Sequence, residues 1–276
     1  MRTLITTILT LVILYLGILL CFYFFQGRLV FHPRKEIIST PADLGLDFEK
    51  IKCVIPGKPA ITGWYLNQEN TQKTLLYCHG NAGNLSTHLD HIAAIYKTGV
   101  NVFIFDYQGF GETPGKPTEA NTYKDALTAY EYLTQVKKIT PKNIILYGHS
   151  LGGAIASKIA TKVETKGLIL EGTFTDINEL GAELYPYLPV KKLSKVNYNS
   201  IKNIKSITVP ILIIHSIDDE VIPYKYGQEL FKAAPEPKSF LEVEGRHDET
   251  YIVSRYKYRD GISAFINSLW LEPVAN

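Results

Sequence analysis

The sequence predicts an α/β protein: a doubly wound, mostly parallel sheet (α/β) that carries an N-terminal transmembrane helix and a small lid. Three observations predict it. Short apolar runs alternate with amphipathic stretches through most of the 276 residues, the opening segment is long and uncharged, and one interval near residues 173–206 breaks the alternation. Strands that alternate with helices form a parallel sheet covered on both faces, and ligands in such sheets bind at the carboxyl ends of the strands.

The opening segment comes first. No charged side chain occurs from Thr3 to Gly27, and "LITTILTLVILYLGILLCFYFF" is long enough, at about 1.5 Å per residue, to cross a hydrocarbon core of about 30 Å. Tyr23, Phe24 and Phe25 suit the interface. A cleaved signal peptide fits less well, because the run is too long and no small-residue cleavage site follows it. Ile18, Leu19 and Leu20 before Cys21 leave a lipoprotein site without its small residue. The expected organisation is an anchor over 1–27, a polar linker over 28–45 ("HPRKEIISTPADLG" within it) and a catalytic domain over 46–276. Arg28, Arg34 and Lys35 outnumber Arg2 across the segment, which leans the domain toward the cytoplasm. Only Cys53 and Cys78 lie outside the anchor, which is no disulfide framework. A net charge of +2 excludes the basic signature of a nucleic-acid partner.

After the linker, "DFEKIKCVI" and "ITGWYLN" read as an antiparallel pair. "TLLYC" is a buried strand followed by a helix over about 85–98; "NVFIFD" is the next strand, followed by a helix near 119–137. "NIILYGH" turns straight into a helical pattern, and "GLILEG", "PILIIHS" and "SFLEVE" supply three further strands before a closing helix, "RYKYRDGISAFINSLW". The interrupting interval holds "LYPYLPV" and the lysine-bearing "KKLSKVNYNSIKNIKS"; it reads as a lid over an acyl pocket or as a plain excursion with a solvated face.

The chemistry centres on Ser150. Gly148-His149-Ser150-Leu151-Gly152 places one serine at a strand-to-helix corner, where glycines relieve crowding and the corner side chain is exposed. A serine hydroxyl is a poor nucleophile at neutral pH and needs an imidazole base with a group to orient it. Of seven histidines only His215 and His247 follow Ser150; His215 closes a strand, and His247 lies in a loop at a strand's carboxyl end, so His247 is the expected base. Asp218, Asp219 and Glu220 all qualify as the acid by charge. Glu171 is a fourth candidate, read otherwise as a helix cap or solvated loop residue. The backbone N–H of Leu151 comes with the turn as one oxyanion donor, and the glycine-rich loop His79–Asn84 is expected to supply the other. His88 and His91 are one helical turn apart but lack a third metal ligand, so exposed helix residues are expected there, with no metal and no cofactor.

"HGNAGN", "FDYQGFGETPG", "GHSLGG" and "IHSIDDEVIP", in that order, resemble the α/β-hydrolase superfamily of serine hydrolases, and specifically its membrane-anchored branch, which includes protein depalmitoylases and bacterial homologues. The resemblance covers roughly residues 28–270. It implies catalysis by Ser150, Asp219 and His247, with oxyanion amides from Asn81 and Leu151. The expected substrate is a carboxylic ester or thioester of an acyl group, and a tether that keeps the domain beside a lipid bilayer points to a membrane-derived one. Thr113 stands where the family more often has serine, and Arg246 precedes His247 where a small residue is usual, so the base is expected to feel a nearby cation. The rival expectations are a serine peptidase of the same fold and a catalytically silent membrane scaffold.

Overall fold

The structure, a computed structural model, describes residues 1–271; the last five residues of the expected catalytic domain lie outside the described residues. Eight strands form the main sheet: β1 (Glu49–Cys53), β2 (Ile61–Leu66), β3 (Thr74–Cys78), β4 (Asn101–Phe105), β5 (Ile144–His149), β6 (Gly167–Glu171), β7 (Ile211–Ser216) and β8 (Lys238–Val243). Their order is β8-β7-β6-β5-β3-β4-β2-β1. Only β2 runs against its neighbours, β1 and β4; the other pairs are parallel. Every residue of β3 to β7 is buried, which is why these strands read as unbroken apolar runs rather than as alternating ones.

Helices cover both faces. They are α1 (Arg2–Val30), α2 (Leu89–Tyr96), α3 (Glu119–Glu131), α4 (Leu151–Ala160), α5 (Ile177–Leu184), α6 (Val190–Leu193), α7 (Ser200–Ile204), α8 (Lys225–Ala233), α9 (Thr250–Val253) and α10 (Arg255–Ser268). Ile92, Ile262 and Phe265 from α2 and α10 pack on one face, while Ala126, Ile155 and Leu230 from α3, α4 and α8 pack on the other. Chain order reverses at β3: β4 lies to one side of it and β5 to the other. That reversal opens a crevice at the carboxyl ends of β3 and β5, where Cys78 is level with Gly148. Two helices differ from expectation. The first turn after β3, Leu85–His88, is a 3-10 turn capped by Asn84, and α3 gives way at Tyr132–Val136 to a wider π turn.

The amino-terminal organisation also differs. Helix α1 continues past residue 27 to Val30 and is long and apolar enough to cross a membrane. Residues 28–45 are not a free linker. Phe31 is buried, and His32–Pro33 forms a short parallel ladder with Ala82–Gly83. Asn84 donates through Nδ2 to the carbonyls of Arg34 and Glu36. A polar composition hid these contacts, because most of them use backbone groups that any residue carries. Helices α5, α6 and α7 lie within the interval expected as a lid.

Candidate active site

The corner between β5 and α4 gives Ser150 a backbone that L-residues rarely adopt, with φ 56° and ψ −123°. Neighbouring groups hold it there. Ser150 N–H donates to Glu171 O at 2.9 Å, and Ser150 O accepts from Gly153 N–H at 3.0 Å and Thr173 Oγ1 at 2.7 Å. The flanking glycines answer to distance: a Cβ on Gly152 would stand 1.9 Å from Cys78 O, and one on Gly148 would stand 2.2 Å from Gly152 O. Strand and helix can meet this closely only without side chains.

His247 follows β8, and its Nδ1 lies 2.7 Å from Asp219 Oδ2. An ionised carboxylate only accepts, so this contact makes Nδ1 the donor and leaves Nε2 as the basic nitrogen. Asp219 is itself fixed, because its Oδ1 accepts from Val221 N–H at 2.9 Å and Ile222 N–H at 2.7 Å. His247 Nε2 is buried and has no hydrogen-bond partner among the described residues, Ser150 Oγ included.

Burial disfavours a charged His247, but the hydrogen bond and charge of Asp219, helped by Asp248 and Glu171, outweigh it and raise the pKa above the ordinary value. Burial likewise opposes ionisation of Asp219, and its bonds to His247, Ile222 and Val221 more than compensate, so its pKa is lowered. The pair is poised with a carboxylate beside an imidazole. His149 behaves differently: burial pushes it down to about 4, so it is neutral at physiological pH.

The four acid candidates separate by position. Asp218 accepts from Gly245 N–H at 3.2 Å, and Glu220 accepts from His247 N–H at 3.1 Å and Arg246 Nε at 2.9 Å. Arg246 is therefore spent on Glu220, and the expected cation beside the base is not what the geometry provides. Glu171, the fourth acid candidate, read otherwise as a cap or solvated residue, is buried behind the site. It accepts from Thr250 Oγ1 at 2.7 Å, Tyr258 OH at 2.9 Å and Tyr147 OH, and lies 3.0 Å from His91 Nε2. Burial alone would raise its pKa; His91, His149 and Tyr147 lower it.

The expected exposed pair His88 and His91 is corrected too. His91 is buried between Tyr77 OH (2.8 Å) and Tyr258 OH (2.6 Å), and His88 is half-buried. Metal-ligating atoms instead come together in His149, His247 and Asp248, within 4.8 Å of one another. A cation held there would occupy the His247 imidazole, the expected base.

Two clefts meet at Ser150 and Asn81. One is largely apolar, walled by Ile177, Leu180 and Val190 of the 173–206 interval and by Phe22, Leu29 and Val30 of α1. The other is the more polar of the two, bounded by His88, His149, His247, Asp248 and Tyr251. The Asn81 N–H donates to no group among the described residues, nor does the Leu151 N–H donate to a backbone carbonyl outside regular structure. The contribution of α1 was missed in the sequence. Its one signal was Gln26, an amide at the end of an otherwise apolar run, and Gln26 is buried against Leu193 and Lys195.

Comparison with known proteins agrees with this architecture. Residues 69–200 match the family described as serine aminopeptidase, S33, a span that holds Ser150 and Asn81 but ends before Asp219 and His247. The uncharacterised protein Rv2307c of Mycobacterium tuberculosis is 30% identical over 253 residues, 91% of this chain and 90% of the relative. An uncharacterised membrane protein of Saccharomyces cerevisiae, YNL320W, is 29% identical, covering 85% of this chain and 87% of its own. The lysophosphatidylserine lipase ABHD12 of Danio rerio is 33% identical over 199 residues, 64% of this chain and 51% of that protein. The Pyrococcus furiosus esterase Pf2001 shares the fold, with a TM-score of 0.71 at 20% identity over 86% of this chain and 98% of its own. The chain belongs to the α/β-hydrolase superfamily, in a branch with membrane-protein relatives.

Proposed function

We propose that the protein is a membrane-anchored serine hydrolase that cleaves carboxylic esters or thioesters of acyl groups. The observation that carries this reading is the strained Ser150 at the meeting point of an apolar cleft and a cleft bounded by His247, whose imidazole Asp219 holds. The acyl chain occupies the apolar cleft and the leaving group the more polar one. Ser150 Oγ attacks the acyl carbon while His247 Nε2 takes its proton. The N–H groups of Asn81 and Leu151 stabilise the tetrahedral oxyanion, and the developing imidazolium is balanced by Asp219. Collapse expels the alcohol or thiol with the proton from His247. Water, deprotonated by the same nitrogen, then releases the acid and frees the serine.

An aminopeptidase reading requires carboxylates to hold a free substrate amine. Asp248 is the one carboxylate among the described residues that line the two clefts, and it is exposed. A silent scaffold has no use for a serine held at positive φ, which costs of order 1–3 kcal/mol. The anchor is α1, with the catalytic domain on the cytoplasmic side.

The test is a fluorophosphonate label followed by a substrate profile. Wild type should label and should turn over acyl esters and thioesters faster than aminoacyl amides; Ser150→Ala should remain folded and lose both labelling and turnover. Undiminished labelling of Ser150→Ala would remove Ser150 as the nucleophile.

A further inference from the structure

We infer that helix α1 is part of the acyl site as well as an anchor, and that the cleft opens to the bilayer between α1 and a lid tip that lies in the lipid. This rests on the membrane-anchored hydrolase reading. Its occupant is the acyl chain of a membrane-embedded substrate, drawn in laterally along the helix.

The first ground is shared structure. Phe22, Gln26, Leu29 and Val30 come from the last turns of α1 and line the same cleft as Ser150. Gln26 fastens the lid to the helix: its Oε1 accepts from Lys195 N–H at 2.5 Å and its Nε2 donates to Leu193 O at 3.2 Å. A buried amide with both ends bonded fixes register between two elements, because displacing either leaves polar groups unpaired. A helix serving only to tether would need no such bond.

The second ground is where the lid reaches. Tyr15 OH donates to Tyr187 O at 2.8 Å. Tyr15 lies eight residues before Tyr23, roughly 12 Å down the helix axis and within the apolar run. The tip is built for that depth. "LYPYLPV", residues 184–190, carries no charge between Glu183 and Lys191, and Leu184, Tyr185 and Tyr187 are exposed. Irregular backbone in lipid must satisfy its polar groups internally. Here Pro186 and Pro189 have no N–H, and Tyr185, Leu188 and Val190 donate to Gly181, Tyr185 and Leu188 carbonyls, which leaves Tyr187 N–H as the one tip donor without a partner among the described residues. The Tyr187 carbonyl has the Tyr15 hydroxyl. Charges return above the tip, where Lys195 Nζ sits 3.6 Å from the Tyr23 ring centre, the pairing expected at a headgroup boundary.

Full-length protein in vesicles tests this with two independent readouts. Tyr187→Trp, placed in vesicles whose acyl chains are brominated, should show emission quenched beyond that of wild type, whose tryptophans are Trp64 and Trp270. No added quenching would overturn the placement of the tip. Phe22→Trp should change the ratio of palmitoyl to butyryl ester turnover by about tenfold or more, as filling a hydrophobic pocket does; an unchanged ratio would overturn the helix as a wall. Absence of turnover on every ester by wild type would sink the hydrolase reading instead, and quenching at residue 187 would still decide where the lid lies.

Discussion

The Asn81 side-chain amide donates to the Val30 carbonyl at 2.8 Å, joining the loop proposed to bind the oxyanion to the last residue of helix α1. The carbonyls of a helix's last turn lack partners within the helix, so one of them is available to hold this loop. The Asn81 carbonyl is taken in turn by His32 N–H at 2.8 Å. Asn81→Ala keeps the backbone N–H assigned to the oxyanion but removes its brace. It should lower kcat by about tenfold, the scale of one lost hydrogen bond, with a smaller effect on KM. A change confined to KM would argue that the brace does not act on the transition state.

Asp219→Asn should lower kcat by roughly four orders of magnitude, as expected when the orienting carboxylate is lost. Asp218→Asn should be mild, since an amide oxygen can still accept from Gly245 N–H. Glu171→Gln should act through stability: it places an amide among hydroxyls and an imidazole that all converge on a buried carboxylate, a disturbance worth roughly 3 kcal/mol. Rates for the two aspartate variants, with thermal melting of all three, separate these roles.

The raised pKa of His247 fixes the sense of two pH dependences. As a base it must be neutral, so kcat/KM should fall as pH drops through a value above the ordinary histidine pKa of about 6.5. The stability it contributes runs the other way: full below about 6.5, and lost as pH rises through the folded value. Asp219, with a lowered pKa, contributes stability above its ordinary range near 3.9 that is lost only as pH falls through the lower folded value. A pH–rate profile should place the acid limb above 6.5, and removing the carboxylate in Asp219→Asn should move that limb down.

Gly152→Ala should unmake the corner, because its Cβ would meet the Cys78 carbonyl at 1.9 Å, and this backbone cannot give way without moving β3. Loss of fluorophosphonate labelling together with a lower melting temperature is the expected result. Gly27→Ala has nothing within 4 Å of the new methyl and should match wild type in both.

Much of the protein could be read along the chain. The strands announced themselves because β3 to β7 are buried on both faces, and Ser150 did because crowding at a strand-to-helix corner demands glycines at fixed offsets. His247 emerged by elimination. These signals are local, carried by the candidate residues and their immediate neighbours.

Which acid meets the imidazole was beyond residue-by-residue reading. Asp218, Asp219 and Glu220 are consecutive and alike in charge, and only the path of the loop after β7 points Asp219 at His247. The burial of Glu171 and His91 was equally hidden, because their partners Tyr147, Tyr258 and Thr250 come from separate elements. The role of α1 was the largest thing the sequence withheld. Apolarity and length predict a helix able to cross a membrane, but Gln26 meets Lys195 across a chain separation of 169 residues. Composition determines what a segment can be buried in; which other segment shares that burial is decided only when the chain closes on itself.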